Sequence, residues 1–270
     1  MMTVALLSDG EFKQFQAWIH RTAGIHLSPA KKPLVAGRLY SRLKHHQLKN
    51  YSEYLRLIGG DPADPERQIA VDLVTTPETC FFREPKHFEF LRKHVLPTIR
   101  PSSTFRLWSA ACSTGEEPFS LAMSLADGLN NIPWEIIASD ISSLSLNKAQ
   151  TACYTLTRAR TIPHEAMTKY CFKGTDCQEN NLQIVPSLRT RVRFMRINLN
   201  ETLPEIGSFD VIFLRNVMMH FDLDTRREVV ARVLQLLKPS GYFIISHSES
   251  LSGVSCALKQ VAPSIYRSPA

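Results

Sequence analysis

The stretch Trp108-Ser-Ala-Ala-Cys-Ser-Thr-Gly-Glu-Glu-Pro118 decides the fold. Phe105 to Ala111 is short and apolar enough for a buried strand, and the residues from Glu116 onward favour a helix. Between them, a tight turn at Ser113-Thr-Gly115 exposes the first backbone N–H groups of that helix. Such a corner is where nucleotide-type cofactors bind, although an ordinary structural corner is the alternative. The turn has fewer glycines than a dinucleotide fingerprint, which argues against a pyrophosphate ligand.

The composition is that of a globular protein. Of the 270 residues, 44% are hydrophobic and 21% are charged, so the chain can bury a substantial core. We expect a cytoplasmic protein, because no segment resembles a signal peptide or reaches the ~18 apolar residues of a membrane span. The six cysteines form no Cys-x-x-Cys pair, so we expect reduced thiols and neither a metal site nor a disulfide framework. The net charge of +7 favours an acidic partner or simply aids solubility.

The first 75 residues predict a small all-α domain. Apolar residues recur at helical spacing in several stripes, and Gly59-Gly60-Asp61-Pro62 contains strong helix breakers. No acidic residue lies between Glu11 and Glu53. The spacing predicts a basic face on one helix, opposite Val35, Leu39 and Leu43, made of Lys31, Arg38, Arg42, His45 and Lys49.

This basic face favours an anionic partner, which could be a nucleic acid, a membrane surface or an acidic helix, and a merely solvated face is the alternative. It has no interleaved aromatic residues for stacking bases, which disfavours nucleic acid.

Residues 76–270 alternate strand and helix, as in a doubly wound α/β sheet. A polar stretch at about 172–191 interrupts this rhythm and predicts a small β-subdomain. The predicted strands are Phe105–Ala111, Glu135–Ser139, Arg193–Asn198, Asp210–Leu214, Gly241–Ser246, and a closing hairpin of Ala257–Val261 and Ser264–Tyr266. The predicted helices are His87–Ile99, Glu116–Leu129, Ser143–Ala152 and Thr225–Leu237.

Polar residues follow several of these strands at the carboxyl edge of the sheet, where ligands usually bind. Asp140 ends the second strand and is placed to bridge ribose hydroxyls, although capping the next helix would explain it nearly as well. Asn198-Leu199 and Arg215-Asn216 end the next two strands of the main sheet. With the turn at Ser113-Thr-Gly115 after the first strand, four polar strand ends meet at one crevice, and together they indicate a ligand site more strongly than any one of them.

Several motifs together resemble the CheR family of chemotaxis methyltransferases, which esterify glutamates of chemoreceptors with S-adenosylmethionine. They are Thr79-x-Phe-Phe-Arg-Glu84, the stretch from Trp108 extended to Ser120, Ala138-Ser-Asp-Ile141, Arg215-Asn-Val217 and His247-Ser-Glu249. The similarity covers nearly the whole chain. It implies a Rossmann-like S-adenosylmethionine-dependent methyltransferase sheet with a small β-subdomain insertion, preceded by the all-α domain.

The resemblance also implies the site. The cofactor contacts would be Thr79, Arg83, Glu117, Asp140, Asn198, Leu199, Arg215 and Asn216. Arg83 would lie at the reacting end, and S-adenosylhomocysteine would be the product. The basic helix would recognise acidic receptor methylation helices through Arg38, Arg42 and Lys49. No metal, nucleic acid or membrane insertion is implied.

Two positions depart from the family pattern. Pro77 stands where an asparagine is common, so one side-chain contact to the cofactor is in question. His220 stands where a tyrosine is usual, at a position that we include in the catalytic site, although the imidazole could simply pack as the tyrosine would. In some family members the β-insertion binds a receptor C-terminal peptide. The loop Lys173–Asn181 is long enough for this but poor in glycine, so peptide docking stays open.

The sequence leaves two rival functions. The net charge would suit a methyltransferase acting on nucleic acid, but no aromatic-lined base pocket is evident near Arg215. A non-catalytic binding module would explain Pro77 and His220, but the presence of Asp140 and Arg83 speaks against it.

Overall fold

The computed structural model describes residues 6–76, 78–100, 104–129, 131–173 and 181–270. The helices, in chain order, are α1 (Asp9–Ala23), α2 (Lys32–His45), α3 (Tyr51–Gly59), α4 (Pro65–Val74), α5 (Pro85–Phe90), α6 (Glu116–Gly128), α7 (Ser143–Thr151), α8 (Leu156–Ala159), α9 (His164–Tyr170), α10 (Pro186–Arg189) and α11 (Leu223–Leu234). The strands are β1 (Phe105–Ser109), β2 (Trp134–Asp140), β3 (Cys153–Thr155), β4 (Cys171–Phe172), β5 (Asn181–Ile184), β6 (Val192–Arg196), β7 (Phe209–Phe213), β8 (Leu237–Ile244), β9 (Lys259–Ala262) and β10 (Ile265–Arg267). None of the helices in the described ranges combines the length and the apolarity that crossing a bilayer requires.

Helices α1 to α4 form a bundle with its own apolar core. Ser8, Asn50 and Asp64 cap α1, α3 and α4 by accepting a hydrogen bond from a backbone N–H of the first turn. Each such cap is worth about 1 kcal/mol. The apolar stripes of the four helices pack around the fully buried Phe15 and Tyr54. The bundle therefore folds from the predicted periodicity.

The main sheet has the strand order β6-β2-β1-β7-β8-β10-β9. The first five strands in this order are parallel, and β10 pairs antiparallel with both β8 and β9. Successive residues of β1 face opposite sides of the sheet, so Leu107 packs in one apolar cluster and Trp108 in the other. The predicted doubly wound sheet with a preceding all-α segment is confirmed.

Two predicted elements differ in detail. The helix predicted over His87–Ile99 is α5 followed by a π-helical turn, Leu91–Val95, and a 3-10 turn, Leu96–Thr98. Pro97 lies in that last turn and lacks the N–H that a continuing α-helix needs. Strand β8 begins at Leu237, four residues before the predicted start, because a shift in its register against β7 accommodates Pro239-Ser240-Gly241.

The small β-excursion is larger than predicted. It is an antiparallel sheet of order β3-β5-β4, whose first strand begins at Cys153 rather than near 172, and residues 186–189 are helical. The first strand was missed because three residues are too few to show an alternating pattern. Cys80, Cys112, Cys171 and Cys256 are free thiols, but Cys153 is disulfide-bonded, against the expectation of reduced thiols throughout.

Candidate functional site

A cavity of about 810 Å³ lies at the carboxyl ends of β1, β2 and β7. Both parts of the chain build it, because Ile25 and Leu34 from the helical bundle line it together with the sheet loops. Ten of the candidate cofactor-binding, catalytic and receptor-binding residues line it: Arg38, Thr79, Arg83, Glu117, Asp140, Asn198, Leu199, Arg215, Asn216 and His220. Strand ends that are far apart in sequence are thus brought together around one ligand-sized space.

The turn after β1 is held in an unusual shape. Ser113 and Gly115 have positive φ angles of 49° and 95°. A Cβ on Gly115 would lie 2.6 Å from the hydroxyl of Tyr154, so only glycine fits there. The N–H of Ser113 donates to Oδ2 of Asp140 at 2.9 Å, which ties the turn to the end of β2.

Asp140 is not the cap of α7. Ser142 is the N-cap, since its hydroxyl accepts from the N–H of Ser145 at 3.1 Å. The Asp140 carboxylate accepts instead from the N–H groups of Ser113 and Ser142, both at 2.9 Å. Burial raises the pKa of Asp140 above its ordinary value, against the lowering effect of these bonds. Each carboxylate oxygen can accept a further hydrogen bond, so Asp140 can still receive a pair of hydroxyl groups.

Arg215 is the centre of a buried ion-pair network. Its side chain is 1% exposed, and Nη1 donates to Oε2 of Glu117 at 2.8 Å. Nη2 donates to the carbonyl of Arg83 at 2.7 Å and lies 3.4 Å from Oε2 of Glu84. Arg215 therefore binds three elements together, and its side chain positions the cavity wall.

Glu249 shapes the segment that follows β7. Its carboxylate accepts from the N–H groups of Asn216, Met218 and Ser246 at 3.1, 2.8 and 3.0 Å. Asn216 is thereby held with a positive φ of 57°, and its side-chain amide donates to the hydroxyl of Ser246 at 2.8 Å. The pKa of Glu249 is raised by burial, which these backbone hydrogen bonds only partly offset.

Arg83 is half-buried between two residues with left-handed backbone, Phe82 and Glu84, whose φ angles are 52° and 58°. Left-handed conformations of non-glycine residues are uncommon and concentrate at functional segments. Nη1 of Arg83 donates to the carbonyl of Glu78 at 2.6 Å, which leaves the other guanidinium N–H groups for a ligand.

His220 lies on a 3-10 turn, Met218–His220, at the mouth of the cavity. Its carbonyl accepts from the N–H of His26 at 2.7 Å, so the helical bundle fixes its backbone. Burial and the nearby charge of Lys31 lower the pKa of His220, although Glu78 acts in the opposite direction. The imidazole is therefore neutral at pH 7, where it can donate and accept but carries no charge.

The family model described as "CheR methyltransferase, SAM binding domain" matches residues 77–266, and the one described as "CheR methyltransferase, all-alpha domain" matches residues 10–75. The chain belongs to the CheR methyltransferase family. A chemotaxis protein methyltransferase of Salmonella typhimurium is 37% identical over 251 residues, covering 92% of this chain and 86% of that protein. Chemotaxis protein methyltransferase 2 of Pseudomonas aeruginosa is 36% identical over 263 residues, covering 96% and 93%.

CheR membership confirms the predicted family, the enzyme class, a role in chemotaxis and S-adenosylmethionine as cofactor. The cavity fits such a ligand on its own chemistry. Among the described residues, the buried Ser113 Oγ and Arg215 Nε have no hydrogen-bond partner within the protein, and both residues line the cavity. Buried polar atoms are nearly always partnered, so these two indicate a polar ligand.

Asn198 lines the cavity, and its side chain also has hydrogen-bond partners within the protein. Its side-chain amide donates to the carbonyl of Thr22 at 2.6 Å and to Glu201 at 2.8 Å. Its oxygen accepts from the N–H of Asn200 at 3.1 Å. The Asn198 side chain thus joins the sheet to α1, and Leu199 is buried beside it.

The predicted basic face is wrong as a single surface. Arg42 donates to both carboxylate oxygens of the buried Glu66 at 2.8 and 2.6 Å. Lys49 is exposed but lies beyond the end of α2, whereas Arg38 lines the cavity and donates to the carbonyl of Leu73 at 2.8 Å. The prediction extends the helical spacing past residue 45, where α2 ends, and the partner of Arg42 is 24 residues away in sequence. Neither the end of the helix nor this ion pair can be recognised from residue spacing alone.

Sequence reasoning gave Glu84 and Glu249 no role, although both lie inside the quoted motifs. Their positions in the sequence could have indicated a role. Glu84 directly follows Arg83 and Glu249 follows a strand end, so both carboxylates are placed to accept hydrogen bonds at the crevice. Pro77 and the loop residues 174–180 lie outside the described residues.

Proposed function

We propose that this chain transfers the methyl group of S-adenosylmethionine to glutamate carboxylates in the methylation helices of chemoreceptors. The products are glutamate methyl esters and S-adenosylhomocysteine. The observation that carries the proposal is the shared cavity: its floor has the hydroxyl-accepting Asp140, and its rim has cationic side chains, Lys31 and Arg38, from the helical bundle. A polar cofactor and an anionic substrate can meet there.

Residues on the sheet side hold the cofactor in this proposal. Asp140 accepts the ribose hydroxyls, while Thr79, Glu117 and Asn216 line the rest of the space. Arg215 acts mainly by fixing Glu117 and the carbonyl of Arg83. Leu199 offers its backbone and apolar surface, since it is largely buried. Asn198 acts by holding the helical bundle against the sheet.

The reaction needs no general base. A glutamate side chain is ionised at neutral pH because its ordinary pKa is about 4.3. The bound cofactor supplies an electrophilic methyl on a sulfonium. A substrate carboxylate oxygen would accept that methyl group as the bond between sulfur and the methyl carbon breaks. The protein's task is to align the carboxylate in line with that bond, and alignment of this kind can lower a barrier by several kcal/mol.

Arg83 performs this alignment in our proposal. Its guanidinium presents a rigid fork suited to a carboxylate, and its backbone is fixed from both sides. His220 stays neutral and packs or hydrogen-bonds at the mouth. It does not transfer a proton.

Receptor recognition is assigned to residues 1–75, and methyl transfer to residues 76–270. Lys31 and Arg38 at the rim give this side of the cavity positive charge that suits an acidic helix, and Lys49 is exposed elsewhere on the helical part. Docking of a receptor C-terminal peptide on the small sheet is a further part of the proposal, and its loop lies outside the described residues.

The test is Arg83→Ala with radiolabelled cofactor and receptor-containing membranes. We expect methyl transfer to fall about 100-fold, because a misplaced nucleophile costs that order. Cofactor affinity measured by calorimetry should stay within about threefold, and Arg92→Ala, on an exposed neighbouring turn, should change neither quantity.

The same label identifies the product. Label released by mild alkali shows an ester, whereas alkali-stable label on the receptor or label on nucleic acid would refute the glutamate substrate. Loss of cofactor binding in Arg83→Ala would reassign Arg83 to the cofactor alone.

A further inference from the structure

Behind the methyl-transfer cavity, Glu84, His87 and His247 bring three potential metal ligands together. Each of the three residues can offer one ligand atom, and these atoms lie within 4.8 Å of one another. Oε2 of Glu84 is 3.6 Å from Nδ1 of His87 and 3.4 Å from Nδ1 of His247. Two ligands at about 2.0–2.1 Å from a tetrahedral metal are separated by about 3.3 Å, so these distances already approach a coordination sphere.

His87 has an unexplained nitrogen. Its side chain is 1% exposed, and Nδ1 has no hydrogen-bond partner among the described residues, since 3.6 Å to Glu84 is too long for one. Nε2 lies 3.0 Å from the hydroxyl of Ser264. A neutral imidazole that donates from one ring nitrogen keeps a lone pair on the other. A metal-binding histidine typically donates its second ring N–H to a hydrogen-bond acceptor, and the hydroxyl of Ser264 lies where that acceptor would be.

Glu84 supplies the negative charge. Its carboxylate lies near the guanidinium of Arg215, and Oε1 accepts from the hydroxyl of Ser246 at 2.8 Å. Oε2 accepts from the N–H of His247 at 3.0 Å and lies 3.4 Å from Nη2 of Arg215. A carboxylate has about four lone-pair positions, so these contacts leave room for a metal.

Backbone strain maintains the arrangement. Glu84 and Ser264 have positive φ angles of 58° and 57°, although neither is glycine. Such conformations persist where surrounding contacts enforce them, and they concentrate at ligand sites. The two strained residues are those that contribute the carboxylate and orient His87.

The cluster is reachable from solvent. His247 is 40% exposed, and a second cavity of about 760 Å³ is lined by both histidines. Rotation of the exposed His247 ring can bring its Nδ1 closer to His87. A fourth ligand would come from this cavity, where Lys86 and Lys93 favour water, hydroxide or an anion.

We propose that Glu84, His87 and His247 form a binding site for one divalent transition metal ion of the Zn²⁺, Co²⁺ or Ni²⁺ type. Two imidazoles and one carboxylate are the ligands that such ions prefer, whereas Mg²⁺ and Ca²⁺ require oxygen donors. The site is distinct from the methyl-transfer cavity, and Glu84 links it to Arg215.

The experiment compares metal binding by the full chain and by single variants. Zn²⁺ is titrated calorimetrically, and Co²⁺ serves as a visible-absorption probe whose bands report a tetrahedral site with nitrogen and oxygen ligands. We expect His247→Ala to lose one equivalent of tight metal and the tetrahedral Co²⁺ bands. His94→Ala is the matched control, because His94 is exposed in the same cavity but outside the cluster. It should bind as the wild type does.

A second variant tests the orientation of the buried ligand. Ser264→Ala should weaken Zn²⁺ binding by roughly 10–100-fold, because partners of metal-binding histidines contribute that much. Equal Zn²⁺ binding by wild type and His247→Ala would overturn the proposal. The metal would then bind elsewhere, for example at His45 and His46, whose rings contact each other. Failure of the wild type to give tetrahedral Co²⁺ bands would also overturn it.

Discussion

Replacement of Arg42 by alanine should destabilise the protein before it affects receptor recognition. Arg42 donates from Nε and Nη2 to the two oxygens of Glu66, whose side chain is 4% exposed. Among the described residues, the variant leaves that buried carboxylate with His46 and Tyr54 as its side-chain partners, at 2.9 and 2.8 Å. Removal of one partner from a buried ion pair costs about 3–5 kcal/mol.

The pKa of Glu66 reflects the combined effect of its three side-chain partners. Burial alone would raise it, but hydrogen bonds from Arg42, His46 and Tyr54 outweigh burial and lower the pKa from 4.5 to about 2. At roughly 1.4 kcal/mol for each pKa unit, this depression corresponds to about 3 kcal/mol. Because the folded pKa is the lower one, this stability is present above about pH 4.5 and is lost as the pH falls toward about 2.

The assay is thermal and urea unfolding at pH 7 and at several values down to pH 3. We expect Arg42→Ala to lower the Tm by roughly 10 °C and to weaken the acid dependence. Lys44→Ala is the matched control on the same helix: Lys44 is exposed, so its loss should change stability by at most about 0.5 kcal/mol. A fully stable Arg42→Ala that fails to methylate receptors would refute this reasoning and return Arg42 to the recognition surface.

Three further predictions concern the cavity. Arg215→Met should lower the Tm by several degrees because Glu117 and Glu84 lose their arginine partner. Adding Glu117→Gln to this variant should recover part of the lost stability. Strictly additive effects of the two substitutions in thermal unfolding would contradict the network. Gly115→Ala should weaken cofactor binding about tenfold, as measured by calorimetry. The added Cβ would lie 2.6 Å from the hydroxyl of Tyr154, and the backbone there has a φ of 95°, which alanine rarely adopts. Unchanged cofactor affinity would contradict a rigid turn. Because the pKa of His220 is lowered, the imidazole is protonated only below pH 6.5. The wild type and His220→Tyr should therefore show the same dependence of methyl-transfer rate on pH above pH 7. A fall in the wild-type rate between pH 8 and 7 that the variant lacks would give the imidazole an acid–base role.

Local patterns in the sequence were enough for the sheet and for the approximate place of the site. Parallel strands end at one edge, so Asp140, Arg215 and Asn216 could be grouped before any coordinates were known. The period of apolar residues sufficed in the same way for α1 to α4. These features depend on neighbours in the chain, which a sequence displays directly.

Pairings between distant side chains could not be read from the sequence. Arg42 finds Glu66, and Asn198 finds the carbonyl of Thr22, only after the helices have packed. An arginine that faces a buried carboxylate and one that faces solvent have the same spacing on a helix. The short strand β3 was missed for a different reason, since tertiary pairing with β5 stabilises three residues that have no periodic pattern of their own.

The loop that follows α1 contacts the turn that follows β7. This contact restricts which segments of the chain can be exchanged with those of a relative. Ile25 pairs with Phe221 in a β-bridge, and the N–H of His26 donates to the carbonyl of His220 at 2.7 Å. A chimera that exchanged only residues 1–75 with a relative would place foreign backbone against the mouth of the cavity. The two contacting segments are therefore better exchanged together than separately.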